Sequence, residues 1–165
     1  MKKICLTIKI TAFLLICLNG LQAQTTQTKL NHNELINQIV GSWKYEYGKD
    51  TTGYYDFTTY GTGLDANGKF VYKGKTISES RLIWAYDKTL DKMIGLYQIK
   101  GGNYRLMVSQ WISRNKYVLV DYKDISNPEE ASTKTVGTLK SPDLLEITYY
   151  ENNKLVKTVN YIRVK

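Results

Sequence analysis

From Trp43 to Lys165 the sequence is a succession of about ten short runs in which apolar and polar residues alternate, each parted from the next by a few turn-forming residues. Period-two alternation marks half-buried strands, and turn signals every ~8–12 residues mark a sandwich or barrel. Connections this short cannot carry a parallel crossover, so neighbours in sequence pair antiparallel in an up-and-down meander. Strands are expected at 42–47, 54–60, 70–72, 78–86, 93–99, 104–112, 117–122, 134–139, 144–150 and 155–164. With so many strands, closure removes the exposed edges. The expected fold is all-β: an up-and-down antiparallel β-barrel of about 8–10 strands with a short N-terminal helix.

Several strands are apolar on both faces. Tyr104, Leu106 and Val108 oppose Met107 and Trp111, and Tyr117 and Leu119 oppose Val118 and Val120. An open sheet with one wet face would not need this; a barrel covered outside by a helix or a partner accommodates it. Asn67-Gly68 reads as a tight turn, and Asn127-Pro128-Glu129-Glu130 as an exposed acidic loop.

Before the strands, three segments are distinguished. Lys2 and Lys3, the apolar stretch from Leu6 to Leu18, and Leu21-Gln22-Ala23 form the pattern of a signal peptide over 1–23. The apolar stretch is too short for a membrane span. Ile16 before Cys17 is bulky where lipid modification needs a small residue, which argues against an anchor there. Residues 24–30 read as a flexible polar leader, and 31–165 as the folded domain. Within it, Asn31 to Val40 reads as a short helix capped by an asparagine, with Leu35, Ile36, Ile39 and Val40 on one face to cover a barrel end. The protein is thus expected to be exported, to the periplasm or beyond. Both cysteines, Cys5 and Cys17, leave with the signal, so neither disulfides nor thiolate chemistry are expected in the domain.

Of 23 Lys and Arg residues, three precede residue 24, leaving 20 against 15 acidic residues and a net charge of +5. The basic residues are scattered, not gathered into a stripe with exposed aromatics, so no nucleic-acid partner is expected.

The apolar turn ending Ile39-Val40, Gly41-Ser42-Trp43 at the head of the first strand, and Tyr161-Ile162-Arg163-Val164 on the last together resemble the calycin superfamily, and within it lipocalin-like domains of exported bacterial proteins. The segment from Leu82 to Asp87, with Gly95 beyond it, is similar to other bacterial domains of this kind. The resemblance implies that Trp43 is covered by Arg163 in a cation–π contact, with Gly41 allowing close approach at this barrel closure. It also implies a ligand inside the barrel. The ten legible strands lean toward the fatty-acid-binding and nitrobindin-like side of the superfamily. Haem there is held by a histidine, and the single histidine here, His32, lies in the N-terminal helix, so no cofactor is expected.

Candidate chemistry is sparse. His32 reads as a surface helix residue, and no Gly-x-Ser-x-Gly elbow accompanies it. Asp65-Ala66-Asn67-Gly68 lacks the acidic residue a calcium loop needs at position twelve, where Thr76 stands, so no metal site is expected. Asp56, Glu79, Asp121 and Glu146 lie within strands and are expected to face outward beside basic residues. Fourteen tyrosines and three tryptophans are the remaining signal: tyrosine suits β-strands, and it also offers a cavity a flat apolar face with a hydroxyl. A cavity would be lined by Trp43, Tyr45, Tyr47, Phe57, Trp84, Tyr86, Tyr97, Met107 and Trp111, with Arg81 or Arg105 fixing an anionic head group. The expected function is binding of a small hydrophobic or amphipathic molecule, without catalysis. The alternatives are an envelope interaction module with a filled barrel that binds protein or glycan, and a calycin-type enzyme.

Overall fold

A computed structural model describes residues 30–165; the expected signal peptide and nearly all of the leader lie outside the described residues. The domain is a closed antiparallel barrel of ten strands, each hydrogen-bonded to its neighbours in sequence, with the last pairing the first. The strands are β1 (Gly41–Glu46), β2 (Thr51–Tyr60), β3 (Gly63–Tyr72), β4 (Lys75–Asp87), β5 (Lys92–Ile99), β6 (Tyr104–Ser113), β7 (Lys116–Asp121), β8 (Lys134–Ser141), β9 (Leu144–Glu151) and β10 (Lys154–Arg163). No helix among the described residues is long and apolar enough to cross a membrane.

Two local expectations are corrected. Asn67-Gly68 is not a turn: it lies inside β3, where Gly68 pairs with Tyr55 on one side and Ser80 on the other. A Cβ at Gly68 would come within 2.5 Å of both the Tyr55 ring and Ser80 Oγ, so the glycine makes room for an inward tyrosine. The N-terminal helix is shorter than read. α1 spans His32–Leu35 and tightens into a 3-10 turn over Ile36–Ile39. Asn31 caps α1 through Oδ1, which accepts from the Glu34 N–H at 3.2 Å.

The tightening has a cause. The carbonyls at the end of this segment are claimed by the barrel instead of by further helix. Trp43 Nε1 donates to the Ile39 carbonyl at 2.8 Å, and Arg163 donates to the carbonyls of Val40, Gln38 and Pro142. The Arg163 guanidinium lies 4.2 Å from the centre of the fully buried Trp43 indole. Gly41 adopts φ +119°, and a Cβ there would meet Arg163 Nη1 at 2.5 Å, so both backbone and space require glycine. The first and last strands pair only here, at Trp43↔Arg163 and Lys44↔Ile162. Farther along, the Tyr45 and Tyr161 rings stack across the seam with centroids 4.2 Å apart.

The two-sided strands are covered from within the chain at Val108, Val118 and Val120, whereas Tyr104 and Leu106 stay exposed. Val108, Val118, Val120 and Ala131 form a second buried cluster outside the barrel, joined by Ile94, Ile112, Ile125 and Val136. The connection from β7 to β8 lies over it: Pro128 and Ala131 are buried while Glu129 and Glu130 stay exposed. The acidic loop is therefore exposed only in part, because its apolar members serve as the lid of this cluster. Lys92 Nζ ties the loop down through the Ile125 carbonyl at 2.7 Å.

Arg163→Met keeps the aliphatic stem but removes the cation–π contact and three charge-assisted hydrogen bonds. It is expected to lower stability by about 3 kcal/mol, read as a lower urea midpoint at unchanged m-value. Gly41→Ala is expected to act in the same direction through strain. Unchanged midpoints in both variants would show that closure does not depend on this contact.

Candidate functional site

Inward-facing residues divide the barrel into a filled end and an open end. At the filled end, Ile36 and Ile39 of the helical segment pack with Trp84 and Trp111 around a void of only about 70 Å³. His32 belongs to this plug. It is 5% exposed, and its Nδ1 accepts the Trp111 backbone N–H at 3.1 Å, which corrects its reading as a surface residue. The reason lies across the fold: the ring satisfies a buried backbone donor of β6 beside the register irregularity between Trp111 and Ser113.

Phe57, Leu82, Tyr117 and Leu119 touch both this void and a cavity of about 420 Å³ above them, and so form the cavity floor. Its walls are Tyr45, Tyr55, Tyr97, Met107, Leu145, Ile147, Tyr149 and Tyr161, and it opens among Tyr47, Phe70, Arg105, Thr135 and Lys157. The volume is in the range of small-molecule sites. Large rings fit because glycines lie beneath them: a side chain at Gly53 would overlap Tyr45, and one at Gly137 would overlap Tyr117. Tyr55 stacks at 5.7 Å on Phe57, and Phe70 meets Tyr45 edge-on at 5.8 Å, so one side of the cavity is a continuous aromatic wall.

Burial pushes the phenols of Tyr45, Tyr55, Tyr117 and Tyr161 well above their ordinary value of 10.0. Tyr161 is displaced furthest, because Tyr149, Tyr45 and Tyr55 add to its desolvation. The cavity thus presents neutral hydroxyls, able to donate and accept hydrogen bonds, on an apolar lining.

Of the residues expected at a cavity, Tyr45, Tyr47, Phe57, Tyr97, Arg105 and Met107 line it. Trp43, Trp84 and Trp111 instead fill the closed end. Tyr86 lies beyond Trp84, its hydroxyl donating to Asp91 Oδ1 at 2.6 Å, which raises its pKa. Arg81 is outside the barrel, bound through two nitrogens to Asp65 at 3.0 and 2.8 Å, because strand alternation puts Leu82 inward and Arg81 outward. Arg105 is at the rim but neutralised by Asp121 at 2.6 Å. Asp121 departs from its outward expectation, since it pairs across from the inward Met107. Asp56, Glu79 and Glu146 do face outward, bound to Ser42, Lys100 and Lys140.

Sequence reading missed Tyr55, Tyr117, Tyr149, Lys157 and Tyr161. Their inward parity follows from the cross-strand register: Tyr55 opposes Trp43, Tyr149 opposes Lys157, and Tyr161 opposes Leu145.

A groove of about 830 Å³ also crosses the outer face of β1 to β5. Its charged groups largely satisfy one another, as in the Glu79–Lys100 and Ser42–Asp56 contacts, so it offers few free groups to a ligand. Among the described residues no group of three His, Cys, Asp or Glu side chains is placed to hold a metal ion. The sequence matches no protein-family model and no curated protein. The closed ten-strand meander is compatible with a lipocalin-like fold.

Alkaline titration followed by phenolate absorbance is expected to resolve two classes among the fourteen tyrosines. Tyr45, Tyr55, Tyr117 and Tyr161, held protonated by burial well above 10.0, form the late class and are expected to ionise together with unfolding. The unfolded chain then loses protons that the folded chain keeps. Stability is therefore full below pH 10.0 and falls as pH rises above it. A single class of tyrosines would contradict the buried wall.

Proposed function

We propose that this chain is an exported, lipocalin-like member of the calycin superfamily that binds a small hydrophobic or amphipathic molecule inside the barrel. The observation that carries the reading is the 420 Å³ cavity with its aromatic wall, open at one end and plugged at the other. Transfer of an apolar body from water onto these rings drives binding, at roughly 25 cal/mol per Å² of apolar surface buried. Neutral tyrosine hydroxyls orient the polar part. The signal-like pattern over 1–23 supports export.

A second reading, an outward interaction module, draws on the outer row Ile83, Leu96 and Leu106, which lie opposite one another on β4, β5 and β6 and are 38%, 37% and 48% exposed. It is ranked below the first because the interior is not filled. For a calycin-type enzyme, the buried phenols shift in the direction that removes them as bases near neutral pH.

Phenylnaphthylamine, a neutral fluorescent probe, is expected to bind saturably at one site per chain. Thr135→Trp places an indole in the cavity mouth from a half-buried position and is expected to abolish binding while the urea midpoint holds. Absence of saturable binding to the folded wild type would overturn the reading.

A further inference from the structure

On the last strand the ordinary pattern is inverted. Leu155 and Val156 are apolar and exposed, at 62% and 52%, whereas Lys157 lines the cavity. From Lys157 onward β10 alternates regularly, with Lys157, Val159 and Tyr161 opposite Tyr149, Ile147 and Leu145 on the inner face. A register shift between Leu155 and Lys157 takes Leu155 out of that alternation and sets it opposite Tyr150. A strand that keeps a lysine inside and leaves leucine in water departs from the consistency expected of a purely structural element.

The Lys157 ammonium is held in place. It sits 4.4 Å from the centre of the Tyr47 ring and 4.6 Å from that of Tyr149, between two aromatic faces. None of the ion pairs among the described residues involves it. The other cation at the rim, Arg105, already has Asp121. Among the described residues, Lys157 is thus a cation oriented at the mouth that no ion pair engages, above a cavity lined by tyrosine rings and hydroxyls.

We propose that Lys157 anchors an anionic group, so that the occupant is an amphipathic anion with a carboxylate or sulfonate at the rim and a planar apolar body among the tyrosines. This rests on the cavity being the binding site. Tyr47 and Tyr149 are positioning residues that hold the ammonium over the opening.

The test uses two probes with the same aromatic body, anilinonaphthalene sulfonate and neutral phenylnaphthylamine, titrated by fluorescence into the wild type, Lys157→Met and Lys157→Arg. The wild type is expected to prefer the sulfonate. Lys157→Met is expected to weaken sulfonate binding about tenfold and to change neutral-probe binding less than about twofold, as loss of one charge-assisted contact implies. Lys157→Arg is expected to keep the preference, and added salt to reduce it. Equal losses for both probes, or no loss for the sulfonate, would overturn the anchor while leaving the cavity reading intact. Failure of both probes to bind the wild type would overturn both.

Discussion

The stacking of Arg163 on Trp43 is the contact on which the rest of the architecture depends. A ten-strand sheet has two edges, and here the edges meet over only two residue pairs, one of which is Trp43↔Arg163 itself. The same two side chains bind the carbonyls of Gln38, Ile39 and Val40, so closing the sheet and seating the N-terminal plug are one event. A guanidinium suits this task because its fork of donors satisfies several carbonyls while its plane lies on an indole. Gly41 is the local condition for it, since any side chain there would meet the guanidinium.

Where the sheet closes decides where space remains. The three tryptophans and the helical segment concentrate bulk at one end, with Trp43, Trp84 and Trp111 all buried. At the other end seven of the seventeen lining residues are tyrosines, and Tyr45, Tyr55 and Tyr117 lie across glycines, which leaves room between opposite walls. Their hydroxyls would be costly to bury among apolar residues alone. Grouped together, and with their protons held by desolvation, they form a lining that is apolar in area and polar at fixed points. Among the described residues, Lys157 stands at the mouth outside every ion pair, held by the faces of Tyr47 and Tyr149.

Much of the fold is legible in the sequence, because antiparallel meanders are written locally: alternation marks each strand and turn residues mark each connection. The order and antiparallel pairing of the strands, the asparagine cap and the Trp43–Arg163 pair follow from short-range pattern and resemblance. What is not local was misread. Gly68 looks like a turn glycine beside Asn67, and only the neighbouring Tyr55 ring and Ser80 explain it as a strand residue. His32 looks like a surface residue until the Trp111 N–H needs an acceptor. For the cavity, the tryptophans were expected among its lining because size and apolarity are visible in sequence, whereas barrel depth is not. Sequence alone does not separate Lys157 from Arg81 and Arg105, since neither the irregularity in β10 nor the neutralisation of Arg105 by Asp121 can be seen without cross-strand register.

The central claim is that the inside of the barrel, not its outer face, receives the ligand. The most direct measurement is an NMR titration of the folded domain with a neutral aromatic probe, following assigned tyrosine ring and methyl signals. Shifts concentrated at Tyr45, Tyr55, Tyr161, Leu145 and Ile147 are predicted, with the outer residues Ile83, Leu96 and Leu106 unmoved. Shifts confined to that outer row, with the interior signals silent, would contradict the account.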